Sequence, residues 1–501
     1  MHKKGFDTGI YLKSQAKEIK ERAAKFGKMY LEFGGKLSYD MHAMRVLPGY
    51  EPDSKIKLLK KLGDIEIISC ISAKDIERGR VRRDFGLTYD NQLLKDISDI
   101  REQGLDVKCV IITRYEGEHA AKVFWNRLKN LGIKVFIHRE IKGYPDDISK
   151  VLKGYSAQPF IKTEKKLIVV TGVGGGSGKM ASCLAQIFHE RNAGTKAGFA
   201  KFETFPIWDI DINHPINLAY EAATADLLDV NMIDPFHKKA YGKIAVNYNR
   251  DIENFNILNC IIQKITNEKD AFGYRSPTDM GVNMASSGIA DEKACIDASK
   301  QEIIRRHFRY LREKVEGIET QETIDQINEI MKKAGSRPED RRVVVAARDA
   351  AEQAKISGKG FENIFCGAAI ELENGAIVTG KNSPMLHAES AAILNAVKVI
   401  SGIPDNIDII SPEVVKAIKK MKKELLGRKA TSLSVNEVLI SLAMSSIANA
   451  DANTALSNLS KLANCEMHVT HLPKKGDETG LIRLKLNTTT DAKLSVLSDF
   501  D

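Results

Sequence analysis

The stretch Leu167-Ile-Val-Val-Thr-Gly172-Val-Gly-Gly-Gly-Ser-Gly178-Lys179-Met180 joins an apolar strand to a glycine-rich turn and then to a segment with helical spacing. An apolar strand feeding a helix is the repeating unit of an α/β fold, so this passage commits the chain to a parallel sheet covered by helices. The turn carries a second implication. Gly172, Gly174, Gly175, Gly176 and Gly178, with Ser177 among them, let consecutive backbone N–H groups point into one concavity, and the following helix adds the positive end of its dipole. Lys179 then brings a point charge to the outer phosphates of a ligand. A plain strand-to-helix turn uses glycine only where φ is positive, and five glycines within seven residues exceed that need. The expectation is a site for phosphate or another anion.

The pattern departs from the common P-loop in two places. Five residues rather than four separate Gly172 from Gly178, and Met180 stands where a Ser or Thr would hold magnesium. A thioether does not ligate a hard cation, so ATP with magnesium would need an oxygen ligand from elsewhere. The dinucleotide pattern fits less well, because reading it from Gly172 puts Ser177 at the last glycine position.

The 501 residues suggest three domains at the usual size. The composition places them at 1–160, an α/β domain with a parallel sheet, at 161–335, a P-loop-like α/β domain ending in helices, and at 336–501, a mixed α+β domain. The net charge of +9 is mild for this length, spread along the chain and unaccompanied by a nucleic-acid-binding module. It suits a small anionic metabolite as partner. Neither a signal peptide nor an apolar run long enough to cross a bilayer is found, so a cytoplasmic location is expected, with no nucleic acid or membrane partner and homo-oligomerisation left open. Seven cysteines without a C-x-x-C pair read as reduced core residues.

In the first segment, strands at Ile65 to Ile71, Val107 to Thr113 and Val135 to His138, with a helix from Glu118 closed by Gly132, predict a βαβ unit. A basic loop holding Arg78, Arg80, Arg82 and Arg83, near Asp84 and Tyr89, follows the first of these strands, at the end where parallel sheets bind ligands. In the second segment a polar loop carries Asp209, Asp211 and His214. These residues offer a metal ligand or general base beside the glycine turn, or equally serve as caps at a helix entry. Arg275 to Met284 packs a charge, hydroxyls, a carboxylate and amides into one turn. In the third segment Asn374-Gly375 signals a hairpin, Ser383-Pro384 a helix start, Ser434 with Glu437 a capping box, and Cys465 to Thr470 and Leu481 to Asn487 strands. His387-Ala388-Glu389 matches the H-x-E of zinc deaminases without their P-C-x-x-C partner. Cys465, Glu466, His468 and His471 alternate across a strand, so they do not converge on a metal by themselves.

Over nearly its full length the chain resembles an uncharacterised bacterial protein family. Glu32-Phe-Gly-Gly-Lys36-Leu, Arg45-Val-Leu-Pro-Gly49, the Gly172–Lys179 turn, Ser276-Pro-Thr-Asp-Met-Gly281-Val-Asn283 and His468-Val-Thr-His471 carry the likeness. Some members bear the label ATP-dependent peptidase, yet neither G-x-S-x-G nor H-E-x-x-H is present. The central segment is similar to dethiobiotin synthetase and CTP synthase in its longer phosphate loop. It also resembles formate-tetrahydrofolate ligase in Trp208 to His214, Tyr220 to Leu228 and Met232 to Asp234. That resemblance implies ATP-dependent ligase chemistry, and the residues themselves are read as a ligase or kinase of a small anionic metabolite, with a non-catalytic anion or nucleotide binder, or a phosphate-ester enzyme without ATP, as the alternatives. Gly172, Gly174, Gly176, Gly178 and Lys179 would hold the phosphates, and Lys179, Asp209, Asp211 and His214 would lie beside the transferred group.

Overall fold

The computed structural model describes residues 4–494 except 36, 38, 83–85, 362 and 428–430, and omits the side chain of Arg82. The chain forms two compact units, one up to residue 302 and one from 303 onward.

The first unit is built on seven parallel strands: β1 (Lys28–Phe33), β2 (Ile65–Ser72), β3 (Val107–Tyr115), β4 (Val135–Arg139), β5 (Leu167–Gly172), β6 (Ala197–Phe202) and β7 (Gly281–Val282). Their order across the sheet is β7-β6-β1-β5-β2-β3-β4. The predicted α/β class is therefore observed, but the expected boundary at residue 160 divides nothing. Strand β1 lies between β5 and β6, with Met29 opposite Leu167 and Lys28 opposite Ala197. Residues on both sides of 160 share one core, because pairing partners are set by burial across the whole sheet and not by neighbourhood in sequence. On one face Tyr30, Ile168, Val170 and Phe199 pack against Leu184 and Ile187 of the helix Lys179–Asn192, and against Phe255 and Ile262 of the helix Asn249–Thr266.

The second unit carries a mixed four-stranded sheet: β8 (Gly367–Glu371), β9 (Ile377–Lys381), β10 (Glu466–Val469) and β11 (Asn487–Thr490), in the order β9-β8-β10-β11. The Asn374-Gly375 turn joins antiparallel β8 and β9, and Gly375 takes φ of 81°. Helices cover both faces. Ala369 packs with Val343 and Ala347 of the helix Arg342–Ile356, while Ala368 and Ile370 pack with Ala392 and Ala396 of the helix Ala388–Ser401. The compact division falls within the helix Glu292–Val315, upstream of the boundary expected after residue 335.

Two local expectations shift. Ser383-Pro384 does not open a helix. The Ser383 hydroxyl accepts the amides of Met385 and Leu386, closing a turn, and the helix begins at Ala388 with His387 as its cap. Likewise Leu481 ends up inside the helix Lys475–Arg483, where it is buried in the core, and the last strand is displaced to Asn487–Thr490. Among the described residues no helix is long and apolar enough to cross a membrane.

Candidate functional site

The glycine turn sits at the carboxyl edge of the parallel sheet, between β5 and the helix Lys179–Asn192. Gly176 and Gly178 both hold positive φ, 76° and 80°, which side-chain-bearing residues resist. Gly172 and Gly174 are fixed by close approach. A Cβ on Gly172 would strike the Ser177 hydroxyl and lie 2.7 Å from the carbonyl of Cys70, and one on Gly174 would lie 2.9 Å from the Tyr89 hydroxyl. The Thr113 hydroxyl, at the end of β3, donates to the Ser177 carbonyl at 2.9 Å and pins the loop from below.

Lys179 is only 9% exposed. Its ammonium donates to the Gly174 carbonyl at 3.1 Å and the Ser177 hydroxyl at 3.3 Å, and no carboxylate of the described residues pairs with it. A nearly buried cation without a counter-charge, at the positive end of a helix, raises the local potential that an anion would meet. Met180 does not face this concavity as a ligand. It packs against the apolar core beneath the helix, so the position offers magnesium no oxygen.

The sheet order gives the loop a second significance. From β2 the chain moves outward through β3 to β4, whereas from β5 it returns past β1 to β6. The neighbours β2 and β5, with Cys70 opposite Gly172, therefore send their following segments in opposite directions. Such a switch point opens a crevice at the carboxyl ends of parallel strands, where ligands of open α/β sheets bind. Arg78 and Arg80 follow β2 there and are exposed. Arg80 lies over the ring of Tyr89, 5.3 Å from its centroid, and Tyr89 in turn contacts Gly174. Arg83 and Asp84 lie outside the described residues, as does the side chain of Arg82.

The polar loop after β6 holds its three side chains in local bonds, one of them a helix cap. Asp209 accepts from the Ser286 hydroxyl at 2.7 Å, Asp211 accepts the amide of Asn213 at 2.7 Å, and His214 caps the helix Pro215–Ala223 through the amide of Ile216 at 3.2 Å. His214 Nε2 lies 3.2 Å from Glu292. None of the bonds among the described residues joins these three side chains to the glycine turn. The turn around Ser276 is likewise bonded to distant parts of the first unit: Thr278 donates to Asp234 at 2.7 Å, and Asn283 to the Pro206 carbonyl at 2.7 Å.

Glu32, Lys201, Glu203 and Asp251 form a group that no local motif announces. Glu32 and Lys201 are directly opposed near the ends of β1 and β6. Lys201 is 6% exposed and pairs with Asp251. Burial pushes the Glu203 carboxyl up to about 8, assisted by Asp251 and Glu32 and opposed by Lys201. One buried oxygen of Glu32 has no hydrogen-bond partner. The charges of Glu32 and Lys179 both reach Cys70 and Cys183, which places this group near the foot of the glycine turn. Besides Glu32 heading the Glu32-Phe-Gly-Gly-Lys36-Leu motif, its sequence signal is the charges inside two mostly apolar strands, Lys28-Met-Tyr-Leu-Glu32-Phe and Ala197-Gly-Phe-Ala-Lys201-Phe.

Residues 4–335 match the family model described as "Domain of unknown function DUF1846, N-terminal", and residues 339–498 match its C-terminal counterpart. The chain belongs to the DUF1846 family. Similar relatives named UPF0371 protein come from Clostridium botulinum strain Alaska E43, 46% identical, strain Langeland, 47%, and Clostridium tetani, 46%, each over 491 residues and 97% of both chains. The DUF1846 N-terminal region holds the whole seven-stranded sheet and the glycine turn. The DUF1846 C-terminal region holds the Cys465, Glu466, His468 and His471 segment, which is taken up in packing. Glu466 pairs with Arg305 and Arg341, and His468 Nδ1 lies 2.9 Å from the Thr489 hydroxyl.

Proposed function

We propose that the glycine turn binds the phosphate groups of a nucleotide or phosphorylated metabolite, and that this DUF1846 protein uses it for ATP-dependent ligation or phosphorylation of a small anionic metabolite. The observation that carries the reading is Lys179, nearly buried, free of any carboxylate partner among the described residues and aimed into a glycine loop at the switch point of the sheet. Phosphoryl transfer is chiefly positioning and charge stabilisation, which the loop amides and Lys179 would supply. Glu203, whose carboxyl burial pushes up from its ordinary value, offers a proton donor or acceptor at the same sheet edge.

A second reading, a phosphate-sensing protein without catalysis, is favoured by Met180, whose side chain is committed to the core and provides no magnesium ligand. Calorimetric titration with phosphate, ADP and ATP, with and without magnesium, separates the two. Wild type should bind at least one of these ligands, and Lys179→Ala should weaken that binding roughly 10- to 100-fold, about 1.4–2.8 kcal/mol. If wild type binds none of them, the phosphate reading is wrong. Tight phosphate or ADP binding that magnesium does not alter, with no ATP turnover across anionic metabolites, would favour the sensing role over the ligase or kinase.

A further inference from the structure

In the second unit, His387, Glu389 and Asp477 come together from two helix starts, and their nearest nitrogen and oxygen atoms all lie within 4.8 Å of one another. His387 caps the helix Ala388–Ser401, Glu389 lies in its first turn, and Asp477 lies in the first turn of the helix Lys475–Arg483. We propose that these three side chains form a binding site for a first-row divalent cation, manganese or zinc, with open coordination positions toward solvent.

Three observations support the site. Asp477 is 1% exposed and already oriented, one oxygen accepting the Val435 amide at 2.8 Å and the other lying 2.7 Å from His387 Nδ1. This second bond holds a proton that a metal would displace. Glu389 is 6% exposed, yet its carboxylate is met only by its own amide, with no donor from another described residue. Two buried carboxyls brought within 4.8 Å of each other repel unless a proton or a cation lies between them. Lys422, whose charge reaches His387, does not fill that role. Its ammonium is bonded to the Ser432 carbonyl at 2.7 Å and to Glu437 at 3.0 Å.

The donor set indicates the ion. One imidazole and two carboxylates suit manganese or zinc, and no cysteine of the described residues belongs to the cluster. Three protein ligands leave positions for water or a substrate oxygen, the arrangement of a reactive and not merely structural metal. The His387 side chain, 21% exposed, provides the way in. A purely structural explanation accounts for the His387–Asp477 bond but not for Glu389. His387 gives that helix start no side-chain cap bond, and the one bond Glu389 makes there, to its own amide, an amide side chain would keep without the buried charge.

The test is titration of the full chain with manganese chloride, read by loss of the free-ion paramagnetic resonance signal, with zinc chloride followed by calorimetry in parallel. Wild type should take up one ion per chain, and Glu389→Gln and Asp477→Asn should each weaken binding at least 10-fold. Glu389→Gln should also melt at or above the wild-type temperature without metal, while only wild type gains thermal stability when metal is added. Lys179→Ala should bind metal as wild type does, which keeps this site independent of the phosphate reading. Failure of wild type to bind either ion, or unchanged uptake by Glu389→Gln, overturns the proposal. Should Glu389→Gln not fold, the wild-type melting shift and the Asp477→Asn titration decide the matter.

Discussion

Arg341→Ala should destabilise the second unit by about 2–4 kcal/mol, because it removes one of the two arginines that pair with half-buried Glu466 together with the donor to two strand carbonyls. Arg341 is 1% exposed and is the largest of the fully buried side chains. It pairs with Glu466 and donates to the Thr489 hydroxyl at 3.0 Å, the Met467 carbonyl at 3.1 Å and the Asn487 carbonyl at 2.7 Å. One guanidinium thereby stitches β10 to β11 from the end of the helix Arg342–Ile356, where the preceding turn delivers it. Lysine would not substitute, since its three donors cannot span the same planar fork. Urea unfolding followed by circular dichroism measures the loss, and a change below 1 kcal/mol would show that Arg341 is dispensable.

The same pair sets an acid limit. Burial alone would raise the Glu466 carboxyl, but Arg305 and Arg341 hold it down to about 2. Its ordinary unfolded value is about 4.3, so the folded state gains stability from this group above that value, and the gain disappears as pH falls from about 5 toward 2. In Arg341→Ala the carboxyl should rise and the slope of stability against pH in that window should flatten. Denaturation midpoints at several acidic pH values, compared between the two proteins, check the direction.

Gly178→Val should cost about 2–4 kcal/mol and abolish binding at the glycine turn. The position holds φ of 80°, which a β-branched residue adopts only with strain, and a Cβ there would fall 2.9 Å from the Thr113 side chain. Relief would require Thr113 to move, and Thr113 holds the Ser177 carbonyl that shapes the loop. Because Gly178 precedes the first residue of the helix, the displacement would also swing Lys179. The thermal midpoint and calorimetric titration with phosphate report the two effects separately. Unchanged ligand binding in the face of lowered stability would detach the site from the loop backbone.

Much of this architecture is written in short stretches of sequence. The apolar runs of β2, β3, β4 and β5 are long enough to identify themselves, and Asn374-Gly375 and the Ser434–Glu437 box act through adjacent residues, so they read directly. The Ser383-Pro384 reading failed because a serine hydroxyl served a turn in place of a helix, a choice made by the parallel bridge between Leu386 and Leu433. The single core shared across residue 160 was not legible because β1 carries Lys28 and Glu32 within its six residues, and only its distant partners explain those charges. Lys28 pairs with Glu190, and Glu32 belongs to the group around Lys201. The glycines and Lys179 were visible as a motif. The acid–base group beside them was not, since it is assembled from β1, β6, the residue after it and the helix Asn249–Thr266.

The insertion of β1 between β5 and β6 also constrains how this protein is made. When β1 leaves the ribosome neither of its neighbours exists, and at ordinary synthesis rates the nearer one follows on the order of 10 s later. Until then its apolar residues Met29, Tyr30 and Leu31 have no sheet to join, and β2, β3 and β4 can assemble without it. The sheet is thus completed late and from the middle, through contacts far apart in the chain, a topology associated with slow folding. Holding the unpaired strand through that interval would fall to chaperones, and a nascent chain stalled near residue 160 would present it unsheltered.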